Sequence, residues 1–218
     1  KDEILANNTV KMIQDRGGEA ISVSGDLTKS DQCKEVVDLA IRSWGRLDIL
    51  DNNIGVASKL SVVDETEENW DKIMDVNLKP MFLMSKYAIP EMIKSGNGGS
   101  IINISSISAT RPRGFTTYST SKGAVLSLSQ AMAVDHGSDG IRVNCILPGP
   151  VYTPMVYSNG MTTQHRTKRQ NASLIQIEGD GWDIGKAVVY LSSNWARYIT
   201  GHLMVVDGGC SLSAKPRG

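Results

Sequence analysis

The chain has 218 residues, 40% of them hydrophobic and 21% charged, and its 23 basic and 23 acidic side chains give a formal net charge of zero. This length is enough for one domain with a sizeable core, and the balanced charge removes any general attraction to nucleic acid or to an anionic membrane. No apolar run approaches the roughly 18 residues of a membrane-spanning helix, and no signal-peptide pattern is read at the start.

Residues 1 to 16 predict a helix already under way, with Ile4, Leu5, Val10, Met12 and Ile13 on an irregular apolar face and Gly17-Gly18 as its stop. Ala20 to Ser24 predicts a short strand. Thr28 to Asp31 supplies capping residues for a helix that runs to Trp44 and is ended by Gly45. Leu47 to Leu50 predicts a strand, followed by Asp51-Asn52-Asn53-Ile54-Gly55. A loop leads to a helix that begins over Thr66 to Trp70, and the apolar pattern from Val76 to Met92 predicts one long buried helix. After the turn at Ser95 to Gly99, Ser100 to Ser105 predicts a strand with Ile101, Ile102 and Ile104. A helical pattern opens at Tyr118 and runs to His136. Ile141 to Leu147 predicts a strand closed by Pro148-Gly149-Pro150. Residues 151 to 180 are polar, irregular and too long for an ordinary loop, and are expected to form a substrate lid. Trp182 to Ser192 predicts a helix, and Leu203 to Val206 a last strand before Asp207-Gly208-Gly209.

Alternating strands and helices predict an α/β fold: a doubly wound, Rossmann-like parallel sheet between two helical layers, within a single domain over 1–218. Such sheets bind ligands at the carboxyl ends of their strands. Asp26, Asn53 and Gly55, Ser105 and Ser106, and Pro148, Gly149 and Val151 all follow strands, so the site is expected along that edge. Cys33, Cys145 and Cys210 lack CxxC spacing and the three histidines are isolated, so no metal site is expected. The same cysteine usage is in keeping with a reducing, cytoplasmic setting.

Tyr118 and Lys122 are four residues apart and share one helix face, which sets a phenol beside an ammonium. The ammonium favours the phenolate and is expected to lower the tyrosine pKa toward working pH, so that the pair can pass a proton.

Joined to Asp26-Leu27, Asn52-Asn53-Ile54-Gly55, Asp75-Val76-Asn77, Ile104-Ser105-Ser106, Pro148-Gly149 and Val206-Asp207-Gly208-Gly209, this pair resembles the short-chain dehydrogenase/reductase family, in order and over essentially the whole chain. The resemblance implies an oxidoreductase that moves a hydride between NAD or NADP and a secondary alcohol or ketone. Tyr118 would be general acid or base, and Ser106, which fits the family spacing better than Ser105, would stabilise charge on the substrate oxygen. Lys122 would tune Tyr118 and hold the nicotinamide ribose. Asn77, inside the long helix, would anchor a water of a proton relay. Asp26 and the Leu27 backbone would meet the adenine, with a helix N-cap as the other reading of Asp26. Asn53 and Gly55 would pass the adenosine ribose, and Val151 and Thr153 would meet the nicotinamide carboxamide. The resemblance also implies a homodimer or homotetramer paired through the helices after Trp70 and after Tyr118.

Two features depart from the family pattern. The strand, glycine-rich turn and helix that seat a pyrophosphate are absent from these residues, so the sequence is expected to be a piece of a longer chain. Asp51 stands where relatives carry an apolar residue, and Ile54 where a small one is common. The basic run His165 to Arg169 is either a solvated lid face or a site for an anion. Tyr152, Met155, Val156 and Tyr157 are expected to wall a pocket for a small neutral or hydrophobic substrate. A non-catalytic binding or scaffold protein of the same fold is the alternative reading.

Overall fold

The computed structural model describes residues 3–158 and 160–212, apart from the Met155 side chain. Helix α1 (Glu3–Gln14) buries none of its residues, and Ile4, Leu5, Met12 and Ile13 are exposed. No strand follows at Ala20 to Ser24, against expectation: Ile21 and Val23 are exposed and no described strand lies beside them. A strand is stable only with a hydrogen-bonded neighbour, and β propensity alone does not supply one. Helix α2 (Ser30–Trp44) buries Cys33 and Val37 and stops at Gly45, whose left-handed φ of 74° lets its N–H reach Ile41 O.

The first strand, β1, is Ile49–Asn52, slightly later than predicted. Thr66 caps α3 (Glu67–Asn77) by accepting from Asn69 N. Helix α4 (Lys79–Ser95) begins two residues on. The single long helix expected from Val76 to Met92 is therefore two. Pro80 has no N–H to offer the carbonyl of Val76, and the ladder breaks at Leu78. The break puts Asn77 at the end of α3 rather than inside a helix.

Strand β2 (Gly99–Ile104), helix α5 (Thr116–His136) and strand β3 (Ile141–Pro148) follow as predicted. The expected lid is more ordered than its sequence foretold. It contains β4 (Val151–Tyr152), α6 (Pro154–Tyr157), α7 (Thr163–Gln170) and β5 (Gly179–Asp180), with β4 and β5 paired in parallel. Asp180 and Asp183 then form a capping box on α8 (Gly181–Ser192), and β6 (Leu203–Val206) ends the sheet.

The main sheet is wholly parallel in the order β1-β2-β3-β6, with Leu50 opposite Ile101, Ile101 opposite Val143 and Cys145 opposite Leu203. Alternate residues serve the two faces. Leu50, Ile101 and Val143 pack against α2, α4 and α5, whereas Ile102, Ile104 and Ile146 pack against α8. Each such side chain contributes roughly 1.5–3 kcal/mol by leaving water. Helices on both faces make this the doubly wound arrangement expected. One polar chain crosses the core: Asn52 Nδ2 donates to Asn103 Oδ1 at 2.9 Å, and Asn103 Nδ2 to Ser129 Oγ at 2.8 Å. No helix among the described residues is long and apolar enough to cross a membrane.

Candidate active site

A cavity of about 400 Å³ opens at the carboxyl ends of β1, β2 and β3. Asn53, Gly55, Ser106, Tyr118, Lys122 and Thr153 are among its lining residues. The topology thus gathers there groups up to 100 positions apart in sequence (53 to 153).

Both serines after β2 line the cavity, but their hydroxyls find different partners. Ser105 is buried and its Oγ donates to the backbone carbonyl of Lys122 at 2.7 Å. Ser106 opens a 3₁₀ turn over Ile107–Ala109, accepts from Ser108 N at 3.1 Å, and lines the cavity near the Tyr118 phenol. Burial pushes the Tyr118 phenol up from its ordinary value, and the nearby Ser106 hydroxyl opposes that shift. The expected lowering by Lys122 is not found. The Lys122 ammonium donates instead to Ile104 O at 2.9 Å, and burial brings its own pKa down to about 8.

Asn77 is fully buried, with both ends of its amide engaged. Oδ1 accepts from Val56 N at 2.7 Å, and Nδ2 donates to Val56 O and to Ser121 Oγ at 2.9 Å each. The side chain therefore ties the turn after β1 to α3 and α5. The amide of Met81, which would bond Asn77 in an unbroken helix, donates to Leu78 O, so the ladder skips the Asn77 carbonyl. Gly55 packs where these groups meet: a Cβ there would lie 3.2 Å from Lys122 Nζ and 3.3 Å from Asn77 Oδ1.

Asp26 and Leu27 are not brought to this cavity. The Asp26 carboxylate accepts from Thr28 N and Thr28 Oγ1 at 3.1 and 2.8 Å, closing a turn. It does not cap α2, whose N-cap position is Lys29. The Leu27 carbonyl accepts from Cys33 Sγ, and its side chain packs on the core. Of the expected substrate wall, Val156 lines the cavity, but Tyr152 and Tyr157 turn away and stack on each other with centroids 4.7 Å apart. The Met155 side chain lies outside the described residues.

The basic run His165 to Arg169 divides by helical position. His165 and Lys168 are exposed, whereas Arg166 and Arg169 grip Glu178 at 2.9 and 2.8 Å, and Arg169 also lines the cavity. Sequence reading did not single out Arg169 within that run. Its only signal was an unmatched Glu178 nine residues on. Asp51 lines the cavity too, beside Ile104 and Ile184, and its apolar surroundings raise its carboxyl to about 6 although solvent still reaches it.

The residues suit the nicotinamide half of a dinucleotide. A Cβ on Gly149 would stand 2.5 Å from Asp207 Cβ, so only glycine allows this approach at the cavity floor. Thr153 lines the cavity with a hydroxyl that makes no capping bond to α6. No glycine-rich strand, turn and helix for a pyrophosphate occurs among the described residues.

The family model described as Enoyl-(Acyl carrier protein) reductase matches residues 2–211. Glucose 1-dehydrogenase 2 of Bacillus subtilis is 33% identical over 95% of this chain and 81% of its own length. The 2,5-dichloro-2,5-cyclohexadiene-1,4-diol dehydrogenase of Sphingobium indicum is 36% identical over 97% of this chain and 84% of its own. The ligand-free aldohexose dehydrogenase of Thermoplasma acidophilum superimposes with a TM-score of 0.84 at 32% identity, covering 92% of this chain and 82% of that one.

Proposed function

The chain belongs to the short-chain dehydrogenase/reductase family, and on that premise we propose that it interconverts a secondary alcohol and a ketone with Tyr118 as general acid or base. The observation that carries this reading is the gathering of Ser106, Tyr118 and Lys122 in one cavity. A bound nicotinamide, of NAD or NADP, supplies or accepts the hydride. The chain's own residues handle the proton and the developing charge. Ser106 holds the substrate oxygen. In reduction the neutral Tyr118 phenol gives that oxygen its proton and is left a phenolate, and in oxidation the phenolate takes the proton of the alcohol. Lys122, with its pKa near 8, can exchange a proton close to neutral pH and lies beside Gly55, where a ribose would pass. Val151 and Thr153 line the same cavity, which supports a role for them against the carboxamide.

Ile104, Pro148, Val156 and Val188 give the cavity mostly apolar walls, which favours a small neutral substrate. Relatives named for glucose, an aldohexose and a cyclic diol make neutral hydroxylated compounds the first panel to screen. The proposed assembly is a homodimer or homotetramer paired through α4 and α5, where Phe82, Ile93 and Val134 are exposed, in a cytoplasmic setting. Tyr118→Phe is the direct test. Turnover should fall by about 10² to 10⁴, with NADH or NADPH fluorescence titration unchanged. Near-normal turnover in that variant would remove Tyr118 from the chemistry.

A further inference from the structure

Helix α7 buries no residue, so it has no apolar face to hold it against the body. Polar contacts do so instead. Arg166 Nε and Arg169 Nε donate to the two oxygens of Glu178 at 2.9 and 2.8 Å, and the Glu178 side chain is only 8% exposed. Arg169 Nη2 then donates to Val151 O at 2.8 Å. The residue after Glu178 is Gly179, which pairs with Val151 in the β4–β5 ladder. The guanidinium thus holds β4, and the carboxylate that orients it immediately precedes β5, the strand paired with β4. The flanks of α7 carry left-handed backbone at Gly160 and Gln176, so the helix is joined to the body by turns rather than by continuous structure.

We propose that Arg169, oriented by Glu178, is a positioning residue that sets strand β4 in the cofactor half of the cavity and couples it to the lid helix. This rests on the dehydrogenase reading above. A guanidinium is planar, and fixing Nε on Glu178 fixes where Nη2 must point. Charge-assisted bonds of this kind hold a carbonyl in place more firmly than a neutral donor does. Val151 and Thr153, one and three residues into that segment, both line the cavity, as does Arg169 itself. Arg169 also lines the adjoining cavity with Ile175, Ile177 and Val206, and so, with Gly149, Pro150 and Val151, stands between the two.

The test compares Arg169→Met with Lys168→Met. Lys168 is exposed on the same helix, and its loss removes the same charge. Amide hydrogen exchange over Val151 to Thr153, read without any cofactor, should quicken in Arg169→Met and Glu178→Gln but not in Lys168→Met. In fluorescence titrations, Arg169→Met should weaken NAD(P)H binding about tenfold, the loss of one hydrogen bond to a charged group. The dinucleotide KM should rise with kcat nearly unchanged, and Lys168→Met should match wild type. Equal weakening by both substitutions would make the effect one of bulk charge and overturn the positioning role. So would unaltered exchange and affinity in Arg169→Met when the wild type binds dinucleotide. A wild type that binds neither NADH nor NADPH would instead overturn the dehydrogenase reading, and this proposal with it. Glu178→Gln approaches the same contact from the other partner, so the question stands even if Arg169→Met fails to fold.

Discussion

Ser105 Oγ donates to the backbone carbonyl of Lys122 at 2.7 Å, while its neighbour Ser106 faces the cavity with Tyr118. Successive side chains leaving a strand point to opposite sides, so the two hydroxyls take different partners although both residues line the cavity. Ser105→Ala should cost about 1 kcal/mol of stability, the worth of one buried hydrogen bond, with most activity retained. Ser106→Ala should leave stability almost unchanged and lower kcat by about 10² to 10³, as expected when a donor to a developing oxyanion is lost. Melting curves and steady-state kinetics on both variants decide it. A larger kcat loss in Ser105→Ala would reverse the assignment.

The approach of Gly149 to Asp207 yields a second expectation. A Cβ on Gly149 would meet Asp207 Cβ at 2.5 Å and Asp207 Cα at 2.6 Å. Neither atom can swing away, and Asp207 is further fixed by accepting from Gly209 N and Ser211 N. Gly149→Ala should therefore destabilise by about 3 kcal/mol, the upper part of the range for overpacking. Gly185 offers the contrast: it lies within α8, and an added Cβ meets nothing within 4 Å. Gly185→Ala should raise stability by about 0.5–1 kcal/mol through helix propensity. Urea unfolding of the pair measures both signs.

What the sequence made legible was whatever is decided locally or by pattern. Gly45 ended α2, Thr66 capped α3, and the apolar runs over Ile101 to Ile104 and Ile141 to Leu147 became central strands. The family resemblance grouped Ser106 with Tyr118 and Lys122, and the structure brings all three to one cavity. Features decided by competition were not legible. Ala20 to Ser24 has strand composition but no described neighbour to pair with. Pro80 was visible, yet the apolar pattern runs across it on both sides of the break. The Tyr118 pKa turned on burial against a neighbouring charge, and helical spacing reports only the second. Helix α7 carries no apolar stripe, and its attachment through Glu178 depends on a residue outside the helix.

Asp51 illustrates a cost that does not touch the chemistry. It stands opposite Ile102 on β1, among apolar cavity walls, and its carboxyl is raised from 3.8 to about 6. The folded chain then binds more protons than the unfolded chain between those two values, so stability falls as pH rises through that window. Asp51→Val should melt at a higher temperature than wild type at pH 7, and the gain should vanish near pH 4. Parallel melting curves for the two proteins across this range would show that the carboxylate carries no such cost.

Lys122 is lowered from 10.5 to about 8, chiefly by burial, which is the opposite sign for a cation. Between those values the unfolded chain holds a proton that the folded chain has shed, so stability rises with pH across the window. The full gap corresponds to about 3 kcal/mol. Cys145 works against it, because burial raises its thiol from 9.0 to about 11 and stability falls across that range. The clearest signal therefore lies between pH 8 and 9, and a Cys145→Ala background extends it upward. In that background, Lys122→Met should be more stable than its parent at pH 7, with the two curves converging toward pH 10 as the parent's lysine loses its proton in both states. The same variant should lose nearly all turnover. A lysine whose removal stabilises the fold while abolishing activity is held there for function. If Lys122→Met were less stable than its parent at pH 7, the bond to Ile104 O would outweigh the burial of the charge, and the lysine would be a structural group as much as a functional one.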